Sequence, residues 1–180
     1  KIAIAEKVCE IVSDNSSVVL NIGTTTEQVA KNLVSVRRGL KIITNNINIV
    51  NIVGNSPNCE VWVAGGKLRA ADNAVVGSVT SEFIKNFKID YAIVGISAID
   101  KEGVLLDFDH DELMVTKTIY EQSRKIILIA DANKFERKAP YVTGHLKDID
   151  IFVTDKKPNR DIIRICKQNN VELIISQSSS

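Results

Sequence analysis

The chain has 180 residues, 44% of them hydrophobic, enough for one well-buried domain and short for two. Its 23 Lys and Arg against 22 Asp and Glu leave a formal net charge of +1, which argues against this chain alone being a nucleic-acid binder, since that needs a concentrated basic face. No run of about 18 apolar residues occurs and the amino terminus lacks a basic-then-apolar signal, so a cytoplasmic chain without membrane contact is expected.

Short β-branched runs alternate with amphipathic stretches, the pattern of an α/β fold with a mainly parallel sheet flanked by helices. Ile4, Val8, Ile11 and Val12 share one face of a helix predicted over 4–12. A buried strand follows at 17–22, a helix at 24–33, a strand at 41–43, a short helix at 46–53 and a strand at 60–63, whose Trp62 is expected in the core. The middle reads as a glycine turn at Gly65 and Gly66 with short strands up to Gly77, a small additional β layer, before a helix carrying Val79, Phe83, Ile84 and Phe87. An apolar strand at 91–96, a turn near Gly103, a helix at 109–122 and a strand at 125–130 come next. A strand at 151–153, a helix at 159–168 and a strand at 171–175 complete a single domain over 1–177, with a polar tail at 178–180 expected to fray. Cys9, Cys59 and Cys166 are odd in number and outside any CxxC spacing, so they read as buried reduced thiols. With His110 and His145 the only histidines, no metal site is expected, and no cofactor.

Polar residues gather where strands give way to helices. At Ile22-Gly23-Thr24-Thr25-Thr26-Glu27 the glycine permits a sharp turn and close approach of a ligand to the backbone. Thr24 and Glu27 have capping-box spacing, and the free amides of a helix start beside three hydroxyls suit a phosphate, or simply make a well-capped helix. Asn45, in Thr44-Asn45-Asn46, suits a helix cap or a sugar hydroxyl. Gly66 and Lys67 sit in a turn that lacks Walker spacing, where Lys67 and Arg69 either supplement a phosphate field or are solvated. Gly95 and Ser97 open a stretch crowded with acids, among them Asp107, Asp109 and Glu112. These start a helix favourably or accept hydrogen bonds from a polyol, with Lys117 farther along that helix. Lys134, in Asp131-Ala132-Asn133-Lys134-Phe135, is placed to meet an anion at the sheet's edge or to stand in solvent, and Phe135 to anchor its loop.

The segments IGTTTEQVAKNL, ITNNINIVN, VAGGKLR, VGISAIDKEGVLLDFDHDE and ADANKFERKAP, in that order, resemble the C-terminal sensor domain of DeoR-type transcription repressors over nearly the whole chain. The resemblance implies the fold shared by ribose-5-phosphate isomerase, CoA transferases and some translation initiation factor subunits. It implies a phosphorylated sugar or polyol as effector, a homo-oligomer (dimer or tetramer), and operator DNA bound only through an N-terminal winged helix-turn-helix domain absent from this chain. By the same likeness Gly23, Thr24, Thr25 and Thr26 cradle the phosphate, while Asn45, Gly66 and Gly95 line the pocket; Lys67 and Ser97, in the same segments, are further ligand-binding candidates. Lys134 faces the anion or holds its loop, and Asp107, Asp109 and Glu112, with Lys117 nearby, meet ligand hydroxyls or structure the acidic loop. The stretch from Gly95 to Glu112 is most like the glycerol-3-phosphate regulon repressors. Two departures are Ala132-Asn133, where a serine often precedes the lysine, and Glu136, where glycine is common.

The alternative is a sugar-phosphate isomerase, whose chemistry needs a carboxylate base and a group that stabilises an enediolate. No such pair is defined by the spacing, nor a nucleophile elbow or a placed glutamate, so no catalytic residue is expected and the chain is read as a non-enzyme. A third reading is an oligomerisation module without a ligand, using the helix from Val79 to Phe87.

Overall fold

The computed structural model describes residues 1–176; residue 177 and the tail expected at 178–180 lie outside the described residues. Helix α1 (Ile2–Ile11) leads to strand β1 (Ser17–Leu20), helix α2 (Thr24–Val36), strand β2 (Leu40–Thr44), helix α3 (Ile47–Val53) and strand β3 (Cys59–Val63). An antiparallel hairpin of β4 (Lys67–Arg69) and β5 (Ala74–Val76) precedes α4 (Ser78–Ile84) and β6 (Ile89–Val94). Short strands β7 (Ala98–Ile99) and β8 (Val104–Asp107) come before α5 (His110–Gln122) and β9 (Ser123–Ala130). A 3₁₀ turn at Ala132–Glu136, strand β10 (Tyr141–His145), β11 (Ile151–Thr154), α6 (Arg160–Gln168) and β12 (Glu172–Ile175) complete the chain.

Seven strands form one parallel sheet in the order β12-β11-β9-β6-β1-β2-β3. Both faces are covered, which is why the central strands are apolar runs rather than alternating ones. Along β1, Val18 and Leu20 point to the layer of α1, α2 and α3, with Ile4, Val8, Val29, Leu33 and Ile49. Val19 points to the opposite layer, with Ile84, Val115, Ile119 and Ile162 from α4, α5 and α6. From β1 the chain winds outward through β2 and β3, whereas β6, β9, β11 and β12 stack on the other side. The order therefore reverses between β1 and β6, and a crevice opens at the carboxyl ends of those strands.

The predicted small β layer is present as the hairpin and a three-stranded antiparallel sheet, β10-β8-β7. Strand β10 was not legible, because its Tyr141-Val142-Thr143-Gly144-His145 carries a glycine and pairs with β8 through a register shift at Val142 and Gly144. Trp62 corrects the expectation of a core position. It is 40% exposed because β3 ends the sheet, and its indole N–H donates to Glu60 Oε1 at 2.8 Å. Its ring stands edge-on to Phe87 at 5.6 Å. Cys9 and Cys166 are buried, and Cys59 is half-buried.

Candidate functional site

At the carboxyl ends of β1, β6 and β9 lies a cavity of about 680 Å³. Its floor begins at the turn after β1, where Gly23 adopts φ +138°, a left-handed backbone that a side chain would strain. Thr26 is fully buried, and its hydroxyl donates to the carbonyls of Asn21 (2.9 Å) and Gly23 (2.6 Å), which holds the turn shut. The Asn21 side chain accepts the Gly95 N–H at 3.0 Å and so ties this turn to the end of β6. Thr24 and Thr25 line the cavity with Gly95 and Ser97.

The capping box expected from Thr24 and Glu27 does not form. Gly23 is the N-cap and offers no side chain, and the Glu27 carboxylate instead accepts from the amides of Asn46 (3.1 Å) and Asn48 (2.9 Å). The positive end of α2 thus faces the cavity without a capping carboxylate.

Cations close one side of the cavity. The 3₁₀ turn after β9 is capped by Asp131, which accepts the Asn133 N–H at 3.0 Å, and Asp155 accepts the Ala132 N–H at 2.8 Å. Phe135 packs edge-on against the buried Phe152 at 6.1 Å and anchors the loop, as its apolar character suggested. This fixes Lys134 and Arg137 at the cavity wall, with Lys1 from the start of α1 donating to Thr24 Oγ1 at 2.7 Å. Lys134 is held below the ordinary lysine range chiefly by burial, then by Arg137, with Lys1 adding to the effect and Asp131 and Asp107 opposing it. Among the described residues none of the three cations forms an ion pair.

The opposite wall is acidic but largely spoken for. Arg69, on the hairpin, binds Asp72 (2.6 Å), Asp109 (3.2 Å) and Glu112 (2.8 Å). The hydrogen bond to Asp72 leads the contacts that push Arg69 far above its usual range. Asp109 also caps α5, accepting the Glu112 N–H at 2.9 Å, and is held low first by that bond and then by Arg69. Burial raises Glu112 despite Arg69. Asp107 stands apart: it is 2% exposed, accepts the Ser97 N–H at 3.1 Å, and among the described residues makes no ion pair.

Burial, with Glu112 adding to it, lifts the Asp107 carboxyl to about 7. An unfolded aspartate ionises near 3.9, so deprotonation costs the folded state stability. That contribution is complete below about pH 4 and is lost as pH rises through about 7, on the order of 4 kcal/mol in all. Asp107→Asn, whose side-chain oxygen still accepts from Ser97, should therefore unfold at a higher temperature than the parent at pH 8 and at about the same temperature near pH 4.5. Melting curves at the two pH values check this, and a difference independent of pH removes the buried-carboxylate account.

Four residues expected at the site lie outside the cavity. Asn45 is buried under the hairpin, donating from Nδ2 to the Val75 carbonyl at 3.0 Å, and its backbone carbonyl accepts the Val75 N–H at 2.7 Å. Gly66, at φ +144°, is a packing glycine: a Cβ there would collide with Thr80 Oγ1. Lys67 is exposed on β4, about 7 Å along the strand from Arg69. Lys117 is exposed on α5, more than a turn past Glu112. Conversely, Lys1, Asp72, Phe108 and Arg137 line the cavity and were not singled out, and Arg69 was weighed only as a supplementary cation. Their signal is weak because each comes from a loop, a short strand or a helix start whose position at the cavity is set by tertiary packing.

The family described as the DeoR C terminal sensor domain matches residues 1–156. The chain belongs to this family. The sensor domain is 36% identical over 170 residues to the glycerol-3-phosphate regulon repressor of Escherichia coli strain K12, covering 94% of this chain and 67% of the relative. It is 33% identical over 180 residues to the HTH-type transcriptional repressor CsqR of the same organism, covering all of this chain and 69% of that one. The chain thus spans about two thirds of the relatives it matches. Its fold is similar to ribose 5-phosphate isomerase A from Neisseria gonorrhoeae, with a TM-score of 0.52, 17% identity, 74% of this chain and 52% of that one. It is also similar to eIF2B delta from Chaetomium thermophilum, with a TM-score of 0.61, 12% identity, 83% of this chain and 53% of that one. These likenesses establish the expected α/β fold of the sensor domain. No helix among the described residues is long and apolar enough to cross a membrane.

Proposed function

We propose that the sensor domain binds a phosphorylated sugar or polyol in the cavity between β1, β6 and β9 and catalyses nothing. The observation that carries this reading is the convergence of Lys134, Arg137 and Lys1 on the uncapped start of α2 without an anionic partner among the described residues. Like charges crowd only where something negative repays the repulsion, and an alkyl phosphate carries a charge of about −1.5 to −2 near neutrality. Amides and hydroxyls of Thr24 and Thr25 supply donors for its oxygens. Ser97, Asn133 and Asp107 then face the polyhydroxyl end, while Ile22, Ile96, Phe108 and Ile129 cover its apolar faces. A cavity of this size admits a hexose phosphate as well as a three-carbon polyol phosphate.

Binding favours one arrangement of the domain, and in a homo-oligomer that bias reaches the DNA-binding segments of the repressor. Thermal unfolding against glycerol 3-phosphate, pentose and hexose phosphates, their parent polyols and inorganic phosphate tests the reading. A saturating ligand at about 100 times its dissociation constant adds about 2.7 kcal/mol of stability. A rise with a phosphorylated compound and none with its parent supports the proposal; no rise across the series at millimolar concentration defeats it.

The isomerase reading retains one specific support, a carboxyl group at about 7 within reach of the Lys134 field, suited to proton abstraction near neutral pH. The other acids of the wall are bound to Arg69, and the relatives named are repressors. Conversion of ribose 5-phosphate by the purified domain would revive this alternative.

A further inference from the structure

Strand β3 ends the parallel sheet, and half of its backbone faces away from it. The Leu40 N–H donates to the Asn58 carbonyl and the Ala64 N–H to the Thr44 carbonyl, so the even-numbered residues of this stretch turn their amides and carbonyls toward β2. Cys59, Val61 and Val63, alternating with them, turn theirs outward. Among the described residues none of these outward groups makes a backbone hydrogen bond. Folded proteins blunt such edges with proline, lysine or a bulge. Here the run is Cys59-Glu60-Val61-Trp62-Val63, in unbroken register with β2, with Trp62 40% and Val63 41% exposed.

The open edge continues into an apolar stripe. The Trp62 ring is 5.6 Å from Phe87 and Phe87 is 5.4 Å from Phe83, while Val79, one helical turn before Phe83 on α4, is 64% exposed. The charges beside it, Glu82 and Lys85, are paired with each other at 2.6 Å. The occupant that this edge fits is the same edge of a second copy. A two-fold axis at Val61 lays two β3 strands antiparallel, with Val61 against Val61 and Cys59 against Val63. All the outward groups then close as hydrogen-bonded pairs. In that register Glu60, the only charge on the strand, lies opposite Trp62 of the second copy, and within the chain the indole N–H already serves Glu60 as donor. No like charges meet along the strand, and this edge is used up, so the contact closes at two copies.

We propose that β3 and α4 form a two-fold interface between copies of this chain, joined by antiparallel pairing of Cys59–Val63. The proposal does not depend on what the cavity binds. A specific dimer buries roughly 800 Å² per partner, more than a short strand supplies, and the stripe from Trp62 to Val79 extends the contact toward that area. Strand β3 also runs through Ala64, Gly65 and Gly66 into the hairpin that carries Arg69 to the cavity wall. Interface and cavity are thus joined by one short stretch of chain.

The experiment measures the molar mass of the chain across a concentration series, with circular dichroism to confirm that each variant is folded. The parent should be a dimer at micromolar concentration. Trp62→Glu removes the central aromatic and sets a second acid opposite Glu60, so the dimer should weaken by about thirtyfold or more. Adding Glu60→Lys to that variant should restore the dimer. Val63→Pro removes one outward N–H and leaves the bonds to β2 intact, so it should also shift the chain toward monomer. Should Trp62→Glu fail to fold, Val63→Pro decides. Val63→Cys reads the register, since opposed α-carbons about 5.5 Å apart lie within disulfide reach. With a small disulfide oxidant this variant should cross-link to Cys59 of the second copy, and Cys59→Ser should abolish the product. The proposal is overturned by a parent that stays monomeric up to its solubility limit, by a dimer indifferent to Trp62→Glu and Val63→Pro, or by a dimer that Val63→Cys does not cross-link.

Discussion

Lys134→Ala should weaken binding of a phosphorylated ligand by roughly tenfold to a hundredfold, the range of one partly desolvated charge-assisted hydrogen bond. The stability of the ligand-free domain should not fall. Lys134 is held below its ordinary range by burial and by Arg137, so its charge is a burden on the folded state that only an anion relieves. The paired outcome, lost affinity without lost stability, marks a group kept for binding rather than folding. Lys67→Ala and Lys117→Ala serve as controls, since both side chains are exposed and outside the cavity. Isothermal titration and melting curves on the three variants decide the matter. Equal affinity in Lys134→Ala and the parent would remove this lysine from the site.

Arg69→Ala has the largest expected loss of stability. It strips the shared partner from Asp72, Asp109 and Glu112, of which Glu112 has only 16% of its side chain exposed and is already raised by burial. A fully buried pair broken on one side costs about 3–5 kcal/mol, and the quarter exposure of Arg69 reduces this to roughly 2–3 kcal/mol. For a chain of this length that lowers the melting temperature by roughly 5–10 °C. The deficit should shrink as pH falls, because burial raises the Glu112 carboxyl and it takes up a proton more readily once Arg69 is gone, and Arg69→Ala with Glu112→Gln should be more stable at pH 7 than Arg69→Ala alone. A single variant as stable as the parent at pH 7 would show the cluster to be a solvent-screened surface group. Because Arg69 ties the β4–β5 hairpin to the start of α5, its loss should also weaken ligand binding, though less than Lys134→Ala.

The regular elements were legible for a local reason. The face shared by Ile4 and Val8, and the β-branched runs at Val18-Val19-Leu20 and Ile126-Ile127-Leu128, report burial through periods that neighbouring residues set by themselves. Gly23, Thr24 and Thr25 were legible because a strand-to-helix turn at the carboxyl edge of a parallel sheet is both a sequence pattern and a ligand position. The Asp109 helix start was equally local, one side chain accepting from an amide three residues on.

Other assignments depended on what distant chain segments do to one another. Thr24 and Glu27 have the spacing of a capping box, yet the carboxylate found better donors on Asn46 and Asn48, which α3 brings across. Asn45 and Gly66 match the family pattern and are spent on docking and packing the hairpin rather than on lining the cavity. Asp109 and Glu112 looked free for a polyol until Arg69, forty residues or so earlier in the chain, was folded onto them. By itself the sequence determined the α/β order, the parallel sheet, the family and the polar turn that faces the cavity, since each rests on periodicity or on contiguous residues. The tertiary structure alone decided which charges remain available, because an ionic partner is chosen by distance in space, and Lys1, Arg69, Asp107 and Lys134 meet only when β1, β6 and β9 are brought side by side.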